Sequence, residues 1–134
     1  MDRPVRHRVR ELTKDDKAAI GQRCDAFISG ILLPRFLPEI RPTQWNYPIG
    51  LSGTWREAMY SFITRYRSGW DDNAGEEFAS AWVRLDHDEE SLTGHRFHIM
   101  WHRHTGQWFP YRFSTTLDEA QHMIETDPIL HPAL

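Results

Sequence analysis

The segment 96–113 constrains the fold more than any other part of the chain, because apolar and polar residues alternate on both sides of a Thr105-Gly106 turn signal. Alternation with a period of two is typical of a β-strand that buries one side, and a central glycine favours a tight reversal. The segment therefore predicts an aromatic β-hairpin, and with it a fold that contains an antiparallel sheet.

Two registers of this hairpin are open to a sequence argument. A two-residue loop pairs His104 with Gln107, whereas a three-residue loop pairs Arg103 with Gln107 and puts Gly106 in the left-handed conformation. The longer loop gathers six apolar side chains on one face, in the pairs Phe97–Phe113, Ile99–Tyr111 and Trp101–Phe109. Burial of three aromatic side chains is worth about 2 kcal/mol each, against about 1 kcal/mol for turn preferences. We therefore predict the three-residue loop.

The other face of the hairpin mixes aromatic, imidazole and guanidinium groups, and we expect the preceding strand to add to it. Such a mixture is too apolar for an ordinary solvent-exposed surface and too polar for a deep core. We predict a binding or self-association surface here, made of Trp82, Arg84, His98, His102, Trp108 and Arg112.

The remaining chain predicts two helices and further strands. Thr13 caps a first helix that Pro34 ends near Leu33, and its apolar stripe consists of Ile20, Cys24, Phe27, Ile28 and Ile31. Thr116 opens a capping box for a second helix that ends at Asp127. Alternation predicts one or two strands in 55–66, after a turn at Gly50 and Gly53, and another strand in 78–85. The inner face of that last strand is predicted to be Ala79, Ala81, Val83 and Leu85.

These elements predict one α+β domain over residues 13–134. It contains an antiparallel sheet of four or five strands, with an N-terminal helix packed on one face through Ile20, Phe27 and Ile31, and a short C-terminal helix. Residues 1–12 are expected to form a mobile basic arm, and the apolar tail 129–134 is expected to dock on the domain or on a partner.

Charge and cysteine content limit the partners and the compartment. A net charge of −3 argues against a general nucleic-acid binder, because phosphate neutralisation dominates such affinity. The local exception is the basic arm, where nucleic acid or an acidic partner could meet Arg3, Arg6, Arg8 and Arg10. The single cysteine, Cys24, excludes an internal disulfide, and no apolar run is long enough to span a membrane, so we expect a cytoplasmic protein.

Histidines on the hairpin raise the alternative of a metal centre. His102 and His104 would lie about 7 Å apart on one strand face, and His98 has the same parity. Three imidazoles can hold a catalytic zinc or iron ion with an open position. The sequence has no serine-nucleophile motif and no glycine-rich phosphate loop, and it predicts no cofactor.

The hairpin also carries a spaced motif, W-x-R-x-x-G-x-W-x-x-Y, at Trp101, Arg103, Gly106, Trp108 and Tyr111. This pattern resembles that of a family of small bacterial proteins catalogued as a domain of unknown function, and segments 81–84 and 127–128 are similar to its flanking segments. The resemblance implies the α+β hairpin architecture and adds no chemistry.

The leading hypothesis for function is a non-enzymatic binding or protein-interaction module that uses the aromatic and histidine face of the sheet, with a homodimer as one form of it. The alternative is a metal-dependent enzyme with His98, His102 and His104 as ligands.

Overall fold

The computed structural model describes residues 11–103 and 105–134, so the predicted basic arm lies, up to residue 10, outside the described residues. Five strands form one antiparallel sheet whose strand order follows the chain. They are β1 (Asn46–Arg56), β2 (Met59–Ser68), β3 (Glu77–His87), β4 (Phe97–His102) and β5 (Trp108–Thr115). The helices are α1 (Lys14–Phe27), α2 (Leu33–Phe36) and α3 (Leu117–Thr126), with a π-helical turn at Ile28–Leu32 and a 3₁₀ turn at Pro128–Leu130. The predicted α+β fold is confirmed.

The first helical region begins as predicted and ends later. Thr13 accepts a hydrogen bond from the backbone N–H of Asp16, and the Asp16 carboxylate accepts one from the N–H of Thr13, which completes a capping box. The chain continues through the π-helical turn to Phe36, so the predicted end at Leu33 is wrong. Pro34 has no N–H to continue the helical hydrogen-bond pattern, and the wider π turn before it accommodates the ring.

The π-helical turn also changes which side chains face the core. A π turn inserts an extra residue relative to an α-helix, so the apolar stripe moves by one position. Ile31 is 40% exposed, and Leu32 is buried in its place. The prediction for Ile31 is therefore wrong. The other members of the predicted stripe are buried, namely Ile20, Cys24, Phe27 and Ile28.

β1 and β2 form a long hairpin that turns at residues 57–58. Gly50 and Gly53 lie inside β1, so the predicted turn at these glycines is wrong. Tyr60 packs so closely against Gly53 that a side chain does not fit at this position, since an added Cβ would lie 1.9 Å from the Tyr60 hydroxyl oxygen. The predicted alternation along β2 is confirmed, because Tyr60 and Phe62 are buried on one side.

A β-bulge in β3 changes the face that this strand presents. The pairing with β2 shifts between Phe62 and Ile63, which leaves Trp82 as an extra residue beside Val83. Trp82 and Val83 are both buried as a result. The predicted inner face is right for its last two residues and wrong for the two alanines before the bulge, which lie on the opposite face.

The tip of the β4–β5 hairpin has the predicted register. The Arg103 N–H donates to the Gln107 carbonyl oxygen at 3.0 Å, and Gly106 has a φ of +83°. Trp101 pairs with Phe109 as predicted. The left-handed glycine allows the short loop to close, and Trp101 behind it packs against the core.

Farther from the tip, two irregularities change the pairing. Two predicted pairs are replaced: Ile99 pairs with Arg112 instead of Tyr111, and Phe97 pairs with Thr115 instead of Phe113. Ser114, with a φ of 55°, accommodates the second irregularity. Phe113 is consequently 66% exposed, so the prediction that it shares the buried face is wrong.

One core cluster joins the helices to the sheet. It contains Ile20 and Phe27 of α1, Phe97 and Ile99 of β4, and Ile124 of α3. Both helices therefore cover the same sheet face, and the predicted packing of the first helix on that face is confirmed for Ile20 and Phe27, but not for Ile31.

The C-terminal segment docks on this domain. A capping box at Thr116 begins α3 as predicted. After α3, the Trp82 indole N–H donates to the Leu130 carbonyl oxygen at 2.8 Å, and the Tyr66 hydroxyl donates to the Ala133 carbonyl oxygen at 2.6 Å. Among the described residues, no helix combines the length and the apolarity needed to cross a bilayer.

Candidate functional site

The sheet face that points away from the helices carries most of the predicted site. Met100 pairs with Arg84 on one side and with Pro110 on the other, so side chains of three strands meet there. We call the surface formed by Arg84, His98, Met100, His102, Trp108 and Phe113 the open face. In the described part of the chain, the helices pack on the other side and leave the open face uncovered.

Trp108 lies at one end of the open face between two polar groups. The Arg84 guanidinium carbon is 4.7 Å from the indole centroid, and the His102 ring centroid is 4.8 Å from it. Asp86 binds Arg84 through Nε at 2.6 Å and Nη2 at 2.9 Å. This bidentate pair holds the guanidinium in a fixed plane, which favours the cation–π contact with Trp108.

His98 lies at the other end of the open face. Its Nδ1 accepts a hydrogen bond from the Ser114 N–H at 3.1 Å, and its Nε2 is 3.7 Å from an oxygen of Asp88. The ring contacts Phe113 edge to face, with centroids 5.3 Å apart. Protein neighbours on both ring nitrogens thus hold His98 in place beside the exposed Phe113.

Two predicted members of the site lie elsewhere. Trp82 is buried on the helix side of the sheet because of the β3 bulge, and its indole N–H is bound to Leu130. Arg112 pairs with Ile99, so the irregularity in β5 turns it to the helix side as well, where it is exposed. The structure therefore brings together Arg84, His98, His102 and Trp108, and it separates Trp82 and Arg112 from them.

A cleft in the sheet was not predicted from the sequence. β3 and β4 pair only between Val83–Trp101 and His87–Phe97, so the first half of β3 and the hairpin tip separate. A cavity of about 320 Å³ opens at this place. We call it the tip cleft; the side chains that form it include Thr64, Tyr66, Ser80, Trp82, His102 and Arg103. Trp82 of β3 and His102 of β4 therefore both line this cleft, although they do not lie on the same face of the sheet.

The motif residues account for the hairpin and for its attachment to the domain. The Arg103 guanidinium carbon lies 5.3 Å from the Trp101 ring centroid and 5.1 Å from that of Phe109. The Tyr111 hydroxyl donates to the Asp127 carboxylate after α3, and this bond raises the pKa of Tyr111. The one sequence signal for the tip cleft was Arg103, a motif arginine that stacks on two rings.

The metal alternative gains no support from the described residues, among which no group of three or more His, Cys, Asp or Glu side chains could hold a metal ion. His104 lies outside the described residues. His98 and His102 are four residues apart on β4, which separates their Cα atoms by about 13 Å. His98 is held by Ser114, and His102 contacts Trp108.

A second histidine cluster lies at the opposite end of β3. His87 Nε2 and His95 Nδ1 are 3.0 Å apart, and His95 Nε2 lies 3.5 Å from a carboxylate oxygen of Asp16. His87 Nδ1 is buried and has no hydrogen-bond partner among the described residues. Burial lowers the pKa of His87, and His95 lowers it further, against the opposing effect of nearby carboxylates. The fold therefore favours a neutral His87.

We expect the protein to lose stability as the pH falls from about 6.5 toward 5, because the unfolded chain then binds a proton that the folded His87 resists. The stability is fully present above the unfolded pKa and declines below it, before the carboxylates titrate. The urea midpoint measured across this range should drop in the wild type and drop less in His87→Gln. Parallel pH profiles for the two proteins would contradict this assignment.

Cys24 is not available for nucleophilic chemistry. It is fully buried, and burial raises the pKa of its thiol to about 12. A thiol held protonated in the core is a weak nucleophile.

The fold, the hairpin and the docked C-terminal segment lie almost entirely within residues 10–131, which match a family model described as a domain of unknown function, DUF3024. Comparison with the curated proteins and with the solved structures finds no match. The match to an uncharacterised domain agrees with the expectation drawn from the hairpin motif. The chain therefore belongs to the family of the domain of unknown function DUF3024.

Proposed function

We propose that this domain is a non-enzymatic, cytoplasmic interaction module, and that its open face binds a second copy of the chain. The observation that carries the proposal is the one-sided arrangement of the fold. Both α1 and α3 pack on one sheet face, while the other face presents Trp108 and the 66% exposed Phe113. An aromatic patch of this kind on a sheet marks a surface that gains stability from being covered.

The size of the uncovered face supports a second copy as the occupant. Five strands of about nine residues each span roughly 700 Å² at standard strand spacing and rise. A stable interface buries about 800 Å² on each partner. Apolar side chains reach across this face from β2 to β5, through Ile63, Met100, Pro110 and Phe113, so two such faces would meet with an apolar centre.

The charges on this face favour self-association. Arg65 and Arg67 both bind Glu77, at 2.8 and 3.0 Å. Arg84 binds Asp86 in the same way, at 2.6 Å. Because these three cations already have carboxylates within their own chain, they bring no unpaired charge to an interface between two copies.

Sedimentation velocity over a range of concentrations tests the proposal. We expect the wild type to sediment as a dimer and Phe113→Ser to have a dissociation constant at least about tenfold higher, because a symmetric interface buries Phe113 twice. Leu92→Ser is the matched control, since Leu92 is 64% exposed in a loop away from the sheet, and it should leave the dimer unchanged. A wild type that remains monomeric at about 200 μM, or a Phe113→Ser variant that associates as tightly as the wild type, would exclude this use of the open face.

A further inference from the structure

We infer that the tip cleft, which shares His102 with the open face, is a binding site for a small planar organic carboxylate. The cleft arises where β3 and the hairpin tip separate, and its volume of about 320 Å³ lies at the lower end of the range for small-molecule sites. Its walls supply one permanent cation, one imidazole, the hydroxyl groups of Thr64 and Ser80, and two aromatic rings.

Arg103 supplies the anchor for the anion. Its guanidinium carbon lies over the rings of Trp101 and Phe109, at 5.3 and 5.1 Å from their centroids. Stacking uses the faces of the guanidinium and leaves its N–H groups at the edge free to donate to two oxygens of a carboxylate. Within the described residues no carboxylate is paired with Arg103, in contrast to Arg84, which Asp86 holds.

The charge of the lining favours an anion over a cation. The described residues around the cleft include Arg103 and His102 and no acidic side chain. Thr64 and Ser80 add hydroxyl groups to the lining, which can orient the second end of a ligand.

The aromatic walls favour a flat, apolar body for the ligand. Trp82 and Tyr66 both line the cleft, and each is fixed by a hydrogen bond to the C-terminal segment, through Leu130 and Ala133 respectively. Rings that are held in this way lose little freedom when a ligand stacks on them, so the site is organised before the ligand arrives. A carboxylate bound at Arg103 and a ring placed against Trp82 satisfy both ends of the cleft.

The probe for this site is 2-naphthoate, and the uncharged 2-naphthamide is its matched control. Each compound is titrated into the full-length protein, and binding is followed by the NMR chemical shifts of the Trp82 indole N–H and of the backbone amides. We expect saturable shifts at the tip cleft with a dissociation constant of about 1 mM or lower for the acid, and binding at least about tenfold weaker for the amide. Arg103→Gln should weaken acid binding by about tenfold or more, and Arg112→Gln, an exposed arginine on the same hairpin, should leave it unchanged.

Ser80→Leu gives a second variant that keeps Arg103 and the hairpin intact. Ser80 is exposed on β3, so the larger side chain fills the cleft without entering the core, and we expect it to abolish the shifts. Absence of saturable shifts at about 10 mM acid, equal binding of acid and amide, or undiminished binding by Arg103→Gln would each overturn the assignment.

Discussion

Replacement of Gly53 by alanine is expected to lower the free energy of unfolding by about 3 kcal/mol, because the new methyl group enters a closed part of the core. An added Cβ would lie 1.9 Å from the Tyr60 hydroxyl oxygen and 2.3 Å from its Cζ. Tyr60 has no room to retreat, since it is 1% exposed and its hydroxyl donates to Asp25 at 2.7 Å. Its ring also contacts Trp55 and Phe62 at centroid distances of 5.3 and 5.2 Å.

Gly50→Ala is the matched control for this prediction. Gly50 lies on the same strand, and no described atom comes within 4 Å of a Cβ added there, so we expect a change within about 0.5 kcal/mol. Urea unfolding followed by circular dichroism measures both variants. Adding Tyr60→Leu to Gly53→Ala should recover part of the loss, because the two side chains compete for one space. Equal stability of the two glycine variants would contradict the packing of Tyr60 against β1.

Replacement of Phe97 by alanine is expected to cost about 3–5 kcal/mol of unfolding free energy, whereas Phe113→Ala should cost less than about 1 kcal/mol. Phe97 is fully buried and Phe113 is 66% exposed, although the alternation of the sequence predicts that they form a pair on one face. The difference arises from the irregularity at Ser114, which pairs Phe97 with Thr115.

Chemical unfolding at several protein concentrations separates core packing from association. A dimer stabilises the folded state by mass action, so any contribution of Phe113 to an interface grows with concentration, while that of Phe97 to the core does not. Similar losses for the two variants at the lowest concentration would indicate that Phe97 and Phe113 share the core after all.

The sequence predicts those features whose cause is local. The capping boxes at Thr13 and Thr116 need only residues three apart, and the tip register follows from a glycine that can adopt a positive φ. The burial of Tyr60 and Phe62 follows from alternation within one regular strand. In each case the signal and the structure that it specifies lie within a few residues of each other.

Bulges and the π turn were beyond prediction because each inserts one residue into a regular period. An alternating pattern of residues does not show where an extra residue interrupts the alternation. The sequence of β3 therefore does not reveal that Trp82 and Val83 both turn inward. The same insertion moves burial from Ile31 to Leu32 in the first helical region. Which residue is inserted depends on how the packed partners fit, and those partners come from distant parts of the chain.

The candidate sites also contain one part that the local sequence pattern predicts and one part that it does not. Arg84, His98, His102 and Trp108 were predicted as neighbours because the hairpin register brings their strands together. The tip cleft was missed because it depends on where two strands stop pairing, and the motif residue Arg103 lines the cleft without showing where that pairing ends.

The simple strand order also bears on how the chain reaches this structure. Each strand neighbours the one before it in the sequence, so the sheet can assemble hairpin by hairpin, with short loops to close. Contacts between the two ends of the chain, such as that of Arg23 with Asp118, join residues 95 positions apart. We therefore expect the slow step of folding to be the packing of the helices against a sheet whose hairpins form from neighbouring strands.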